Sequence, residues 1–309
     1  TIYPYKILRK LKFKFEINIS MIYTSTSCLK NPKNVIKVLD EYEKAGIKQV
    51  ELGSVHEYFD INKLKKYSFD FLVHNYFPPP KKPFNLNLAS QNKEILKKSK
   101  DLVKQSIELC REIESPLYTF HAGFTIDPPK LGKPLPKDEF TKRTIAIKTY
   151  VESIDEILDF SNSTGIKIAM EPNVVQKFNL VNGKNELCLF AEIDEIHKLF
   201  KLIKNDKLGI LLDLGHTAVT SHWLNFDKDD FVEKCFKKVL AIHVSNNNGL
   251  ADQHKSLDEN CWHASKLKMF KHIPIILETM NLDINKIKEN IKLATIKSEI
   301  KSYNNGEKN

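Results

Sequence analysis

Leu208–His216 reads LGILLDLGH, an apolar run that ends in a carboxylate with an imidazole three residues on. A continuous apolar run of this length fits a strand buried on both faces, as in a parallel sheet. Five other segments repeat the pattern. FLVHNYF, LYTFHAGF, IKIAMEPN, VLAIHVSNN and PIILETMN carry His74, His121, Glu171, His243 and Glu278 at the ends of their apolar runs. A closed parallel barrel would make such scattered residues neighbours, because the C-terminal ends of its strands converge at one mouth.

Outward from these runs, strands alternate with helices. Strand 1 is expected over Lys14–Tyr23, followed by a helix that Pro32 opens and that runs to Ala45, with Gly46 at its cap. Strand 2 is expected at Gln49–Ser54, strand 3 in FDFLVHNY, and a long helix from a Ser90 cap to about Glu114, with Ile95, Leu102, Ile107 and Leu109 at helical spacing. Strand 4 is expected at Leu117–Gly123, then a helix over Asp138–Asn162, strand 5 at Lys167–Glu171 and a helix over Ala191–Lys204. Strands 6, 7 and 8 fall at Leu208–Asp213, Val239–Val244 and Pro274–Glu278, and final helices at Asn285–Lys301. This alternation predicts an α/β fold, a single-domain (β/α)8 TIM barrel over residues 13–301. Residues 1–12 read as a basic N-terminal extension and 302–309 as a fraying tail.

Composition narrows the function. With 309 residues, 41% of them hydrophobic, the chain can bury a large core. No apolar run approaches the ~18 residues of a membrane span. Thr1–Lys14 lacks the apolar stretch and cleavage site of a signal peptide. The five cysteines are dispersed and never in a CxxC pair, which predicts reduced thiols in a cytoplasmic protein. The net charge of +9 is carried almost wholly by lysine, with arginine only at Arg9, Arg111 and Arg143. Arginine is the better reader of phosphates and bases. The charge therefore reads first as a solvated surface, with nucleic acid a less favoured partner.

Asp213 and His216 form the sharpest local pair, with Gly215 placed to tighten the turn between them. Asp252 and His254, two apart in an extended loop after His243, would point the same way. With His74, His121, Glu171, His243 and Glu278 they make a mixed imidazole–carboxylate set suited to zinc, manganese, iron or cobalt. Glu171 and Glu278, across the mouth from one another, could bridge ions or act as acid and base on opposite faces of a substrate. Glu51, at the end of strand 2, is placed either to hydrogen-bond substrate or to form a salt bridge inside the barrel. Tyr76, Lys81 and Lys82 in the proline-rich loop are candidate substrate contacts. Trp223 with Phe226 could wall the mouth or simply pack. His56, His222 and His263 lie in loops without evident partners. No phosphate-binding glycine loop, Ser–His–Asp signature or dinucleotide fingerprint is present.

The ordered series VHNY…NLNLAS, FHAGF, MEPN, LLDLGH, HVSNNNGLADQH and ILETMN resembles the xylose isomerase-like TIM-barrel superfamily, from about Phe13 to Lys292. That superfamily includes sugar phosphate isomerases/epimerases and endonuclease IV. The endonuclease IV resemblance implies three zinc ions held by His74, His121, Glu171, Asp213, His216, His243, Asp252, His254 and Glu278. The epimerase resemblance implies one divalent ion held by Glu171, Asp213, His243 and Glu278, with both glutamates exchanging protons with substrate. The chain departs from endonuclease IV in an inserted PPPKKPFNL stretch, a short connection after strand 2 and no arginine near the mouth. HVSNNNG is similar to HxxDNxG of the epimerase branch, with Asn246 where Asp is usual, and Pro172 interrupts the usual Glu-Asn.

The expected function is accordingly a divalent-metal-dependent sugar or sugar-phosphate isomerase/epimerase using one to three zinc or manganese ions. Glu171 and Glu278 would be its catalytic pair. The alternatives are an endonuclease IV-like zinc phosphodiesterase and a non-catalytic metal-binding barrel. Nothing in the helical faces specifies an oligomeric state.

Overall fold

The computed structural model describes residues 21–299. The expected extension over 1–12, most of the expected first strand and the tail over 302–309 lie outside them. Eight parallel strands close into a barrel in chain order: β1 (Ile22–Ser25), β2 (Gln49–Leu52), β3 (Asp70–His74), β4 (Leu117–His121), β5 (Lys167–Glu171), β6 (Leu208–Asp213), β7 (Val239–Val244) and β8 (Ile275–Leu277). β1 closes the ring on β8, pairing Ile22 with Ile275 and Thr24 with Leu277. The single (β/α)8 TIM barrel expected from the alternation is the fold observed.

The described helices are α1 (Val35–Lys44), α2 (Lys93–Glu112), α3 (Arg143–Thr164), α4 (Ile193–Leu202), α5 (Leu214–Leu224), α6 (Lys228–Cys235) and α7 (Ile284–Ser298). Short 3-10 segments, Ile61–Lys66 and Ala264–Phe270, take the helix position after β2 and β7. The helix expected from Asp138 starts at Arg143, and two caps differ from expectation. Asn34 rather than Pro32 begins α1, its side chain accepting from the Lys37 amide. Asn92 rather than Ser90 caps α2, accepting from Glu94 and Ile95, while Ser90 donates to Asp127 instead. The sequence reading also passed over α5 and α6. Most of α5 is buried, so it shows no polar stripe by which its period could be read.

Two apolar layers position the site. Between sheet and helices lies the main core, with Leu39, Tyr42, Ile107, Ile154, Ile157 and Leu199 among its buried residues. Inside the barrel a second cluster, Tyr23, Leu72, Leu117, Ala169, Leu211, Ala241 and Ile276, forms a plug. Side chains two apart on a strand share a face. Two residues beyond the plug stand Ser25, His74, Thr119, Glu171, Asp213, His243 and Glu278, all buried. The polar layer is therefore stacked on an apolar floor by strand periodicity alone.

A third cluster, around Phe124, Leu135, Val175, Leu187, Cys188 and Ala191, knits the loops after β4 and β5 into a block beside the mouth. Arg143 fastens this block. Its guanidinium pairs with both oxygens of Glu195, at 2.7 and 2.8 Å, and donates to the carbonyls of Asn185 and Cys188.

Candidate metal centre

Asp213 is both the last residue of β6 and the N-cap of α5. Its Oδ1 accepts from the His216 amide at 2.7 Å, and its Oδ2 is left free of hydrogen bonds. His216 thus stands in the first turn of a helix rather than in an open turn, as the sequence had suggested. Gly215 also has a different task. A Cβ there would lie 2.8 Å from Ser245 Oγ, so the glycine permits α5 to pack closely on the end of β7.

All nine expected ligands converge. His74, His121 and Glu171 form one group whose donor atoms lie within 4.8 Å of one another. Glu171, Asp213, His243 and Glu278 form a second, and His216, Asp252 and His254 a third, by the same measure. Glu171 belongs to two of them. Its Oε2 lies 3.3 Å from His121 Nε2 and 3.6 Å from His74 Nε2, and its Oε1 lies 3.0 Å from His216 Nδ1. Asp252 Oδ2 lies 3.3 Å from His216 Nε2 and 3.0 Å from His254 Nε2. A further trio, Glu51, His74 and His243, falls within the same radius, but there Glu51 Oε2 contacts His243 Nε2 directly at 2.8 Å.

The donor atoms fit cations better than one another. His74 Nε2, both Glu171 oxygens, Asp213 Oδ2, His216 Nδ1, His243 Nδ1, Asp252 Oδ1 and Glu278 Oε2 are buried without a hydrogen bond. Leaving so many polar atoms unsatisfied in one small volume is costly. Divalent ions among five imidazoles and four carboxylates would satisfy them.

In four of the five rings, those of His74, His121, His243 and His254, one nitrogen already has an outer partner, which turns the other inward. His74 Nδ1 meets Thr119 Oγ1 at 2.9 Å, and the Asn75 amide donates to His121 Nδ1 at 3.1 Å. His254 Nδ1 donates to the Glu278 carbonyl at 2.8 Å, from a backbone with φ of 45°. Thr119 and Asn75 were not singled out from sequence. Each lies two residues from, or next to, a candidate ligand, and that adjacency was the available signal.

Titration is strongly perturbed here. Burial works against the imidazolium of His254, yet the bond to Asp252 and the Glu278 charge raise its pKa from 6.5 to about 10. His216 and His243 are likewise held well above the usual value, against burial, by Asp213 and Asp252 and by Glu51 and Glu278 respectively. Burial takes His121 the other way, to about 4, and raises Asp213 to about 6. Glu171 is lowered to about 2 by His121 and His216, although burial opposes this.

A consequence for metal-free protein follows. Ligating imidazoles must be neutral at the coordinating atom. Near pH 7.5, uptake of a divalent ion should release protons from His216, His243 and His254, and affinity should rise with pH. Stability has the opposite trend. The raised His254 value stabilises the metal-free fold fully below pH 6.5, and that contribution is lost as pH climbs through about 10. Calorimetric zinc titration in buffers of different ionisation enthalpy should give buffer-dependent heats. Identical heats would contradict the assignment.

The mouth opens into a cavity of about 170 Å³. His121, His216, Asp252, His254 and Glu278 line one side, and Phe124, Leu131, Leu135 and Phe178 supply an apolar wall. Lys133, Asn173, Gln176 and Asn179 also face it. These loop residues were missed from sequence, where nothing marks which loop turns inward.

The expected substrate contacts Glu51, Tyr76, Lys81, Lys82 and Trp223 do not line this cavity. Glu51 is fully buried, with Oε2 2.8 Å from His243 Nε2. The Tyr76 hydroxyl accepts from the Leu86 amide at 2.7 Å and so pins the inserted loop. Lys81 is exposed and sits over the Tyr58 ring. Trp223 donates to the Leu250 carbonyl and lies beneath Lys177, while Phe226 stacks on Phe231. His56 is held between Thr26 Oγ1 and the Pro32 carbonyl. No helix among the described residues is long and apolar enough to cross a membrane.

The family model described as the xylose isomerase-like TIM barrel matches residues 40–297. The chain belongs to the xylose isomerase-like TIM-barrel family. This xylose isomerase-like barrel is 24% identical over 229 residues to "Probable endonuclease 4" of Sulfurihydrogenibium sp., covering 68% of this chain and 74% of that protein. It is 28% identical over 237 residues to "Apurinic-apyrimidinic endonuclease 1" of Plasmodium falciparum, covering 71% of this chain and 35% of that protein. Among solved structures, a D-tagatose 3-epimerase-like protein superimposes with a TM-score of 0.66 at 20% identity, over 91% of this chain and 98% of that one. The last likeness concerns the fold alone.

Proposed function

We propose that the chain is a multinuclear, zinc-dependent phosphodiesterase of the endonuclease IV type, cleaving DNA beside apurinic/apyrimidinic sites. One observation carries this reading: nine donors fall into three groups, two of which share Glu171. An isomerase with one ion needs Glu171, Asp213, His243 and Glu278. It would leave His74, His121, His216, Asp252 and His254 with buried or half-buried donors and no task. The sequence ranked sugar isomerisation first; the assembled donor set weighs towards hydrolysis. The relatives named endonuclease 4 and apurinic-apyrimidinic endonuclease point the same way.

Ions bound here would supply Lewis-acid charge to the oxygens of a phosphodiester. The chain's own residues do the rest. Glu278 lines the cavity, Glu171 holds negative charge beside His121 and His216, which also line it, and Asp213 is braced by its helix. The wall of Phe124, Leu131, Leu135 and Phe178 excludes water and suits the apolar face of a sugar. A cavity of about 170 Å³ suits a deoxyribose without its base better than a whole nucleotide. Lys133 at the rim and exposed Lys130 and Lys184 on the neighbouring loops can meet backbone phosphates as point charges.

A second reading, sugar or sugar-phosphate epimerisation by Glu171 and Glu278, is favoured by the arginines. Arg143 is committed to Glu195 and two carbonyls, and Arg111 pairs with Glu108. Neither is free to brace a nucleic acid at the mouth.

The test is cleavage of an oligonucleotide with one abasic site by protein stripped with chelator and reloaded with zinc. Cleavage beside the abasic site, absent from the stripped protein and from an undamaged duplex, is expected. A zinc-loaded protein that leaves abasic DNA intact, and instead exchanges solvent deuterium into a ketose, would overturn the hydrolase in favour of the epimerase.

A further inference from the structure

We infer that Glu51 is a positioning residue for the metal centre, acting through His243 and touching neither substrate nor ion. The inference rests on the metal-centre part of the function proposed above and is independent of the substrate.

Glu51 and His243 are both fully buried, and Glu51 Oε2 lies 2.8 Å from His243 Nε2. The bond places the proton of that ring on Nε2 and leaves Nδ1 to face the carboxylates. Nδ1 lies 3.2 Å from Glu278 Oε2 and 3.9 Å from both Glu171 Oε1 and Asp213 Oδ2. His243 is thus aimed at the middle of its four-residue group. The other oriented rings of the centre are held by uncharged groups: a threonine hydroxyl for His74, an asparagine amide for His121 and a backbone carbonyl for His254. His243 alone among these four has a carboxylate at its back.

The difference matters for the strength of the ligand. A carboxylate behind an imidazole fixes the tautomer and raises the electron density at the inward nitrogen, and such outer partners are typically worth 10–100-fold in metal affinity. The position is also chosen by the fold. Glu51 is on β2, and β2 supplies none of the nine inward ligands. Its inward side chain reaches across the barrel interior to β7. An unpaired carboxylate there would be strongly disfavoured, and Glu51 Oε1 already lacks a hydrogen bond. A purely structural duty would be met more cheaply by an apolar residue continuing the plug.

The experiment is zinc titration of chelator-stripped protein against a chromophoric competitor for wild type, Glu51→Gln and Glu51→Ala. It is joined by the visible absorption spectra of the cobalt-substituted proteins. Glu51→Ala is expected to weaken one ion by about a hundredfold, leave the others near wild type and alter the cobalt bands. Glu51→Gln keeps a hydrogen-bond acceptor of the same shape without the charge, and should weaken the same ion by about tenfold. If Glu51→Ala fails to fold, Glu51→Gln decides the matter. A folded Glu51→Gln protein with all zinc affinities and cobalt bands unchanged overturns the inference, as does equal weakening of every ion.

The two readings fail differently. Three ions bound without cleavage of abasic DNA would sink the substrate and leave the role of Glu51 intact. Wild-type protein that takes up no zinc would sink both.

Discussion

Glu171→Gln is expected to lower kcat/KM for the proposed abasic-site cleavage by at least about a thousandfold, equivalent to roughly 4 kcal/mol of transition-state stabilisation. The size follows from its place in two of the three donor groups. Its Oε2 faces His74 and His121 at 3.6 and 3.3 Å, and its Oε1 faces His216 at 3.0 Å. The amide substitutes one acceptor by a donor and removes the charge, so both groups lose a ligand together. Metal content should fall with activity, while far-ultraviolet circular dichroism stays unchanged because the plug beneath is untouched. Retention of activity within about tenfold of wild type would mean that Glu171 does not bridge the two groups.

Asn87→Ala should destabilise the fold by about 4 kcal/mol, the largest loss expected from a residue outside the centre. Asn87 is fully buried within NLNLAS. Its Nδ2 donates to the carbonyls of Phe124 and Ile126 and to Asp127, and its Oδ1 accepts from the amides of Ala89 and Phe124. Truncation strands two main-chain amides, each at roughly 1–3 kcal/mol when buried, along with their neighbouring carbonyls. It also unties the loop after β3 from the loop after β4, which carries Phe124 of the cavity wall. Urea unfolding of the stripped protein should show the loss in the midpoint, and the zinc-loaded protein should show it with a raised KM. A shift below about 1 kcal/mol would show that water replaces the side chain.

These two residues mark the boundary of what the sequence discloses. Glu171 was legible because a barrel strand ends where its apolar run ends, and β5, β6 and β7 have the bounds read from sequence. The donor set was legible for the same reason, since strand ends must meet at the mouth of a closed barrel. Asn87 was visible only as part of a motif, because its five bonds run to a loop 37 to 40 residues away and to its own neighbourhood. Glu51 was left between two readings because its partner lies 192 residues on. Ser90 and Asn92 are both adequate caps, and only the competing Asp127 carboxylate decides between them. α5 escaped notice because burial on nearly every side erases the periodicity by which helices are recognised. The cavity wall drew on Leu131 and Phe178, which lie in loops whose paths no periodicity encodes.

Asp213 gives the centre a mechanical link to the outside of the barrel. One oxygen holds the first turn of α5 and the other, without a hydrogen bond, stands among the candidate ligands, so the carboxylate cannot swing aside without uncapping a helix. Exchange of any ion held at that group would therefore be tied to fraying of an element whose far end, at Trp223 and Asn225, reaches half-buried and exposed surface. The helix would then work as a latch. Anything that steadied its outer end would slow the departure of such an ion from the interior, and anything that loosened it would hasten that departure, without ever touching the mouth.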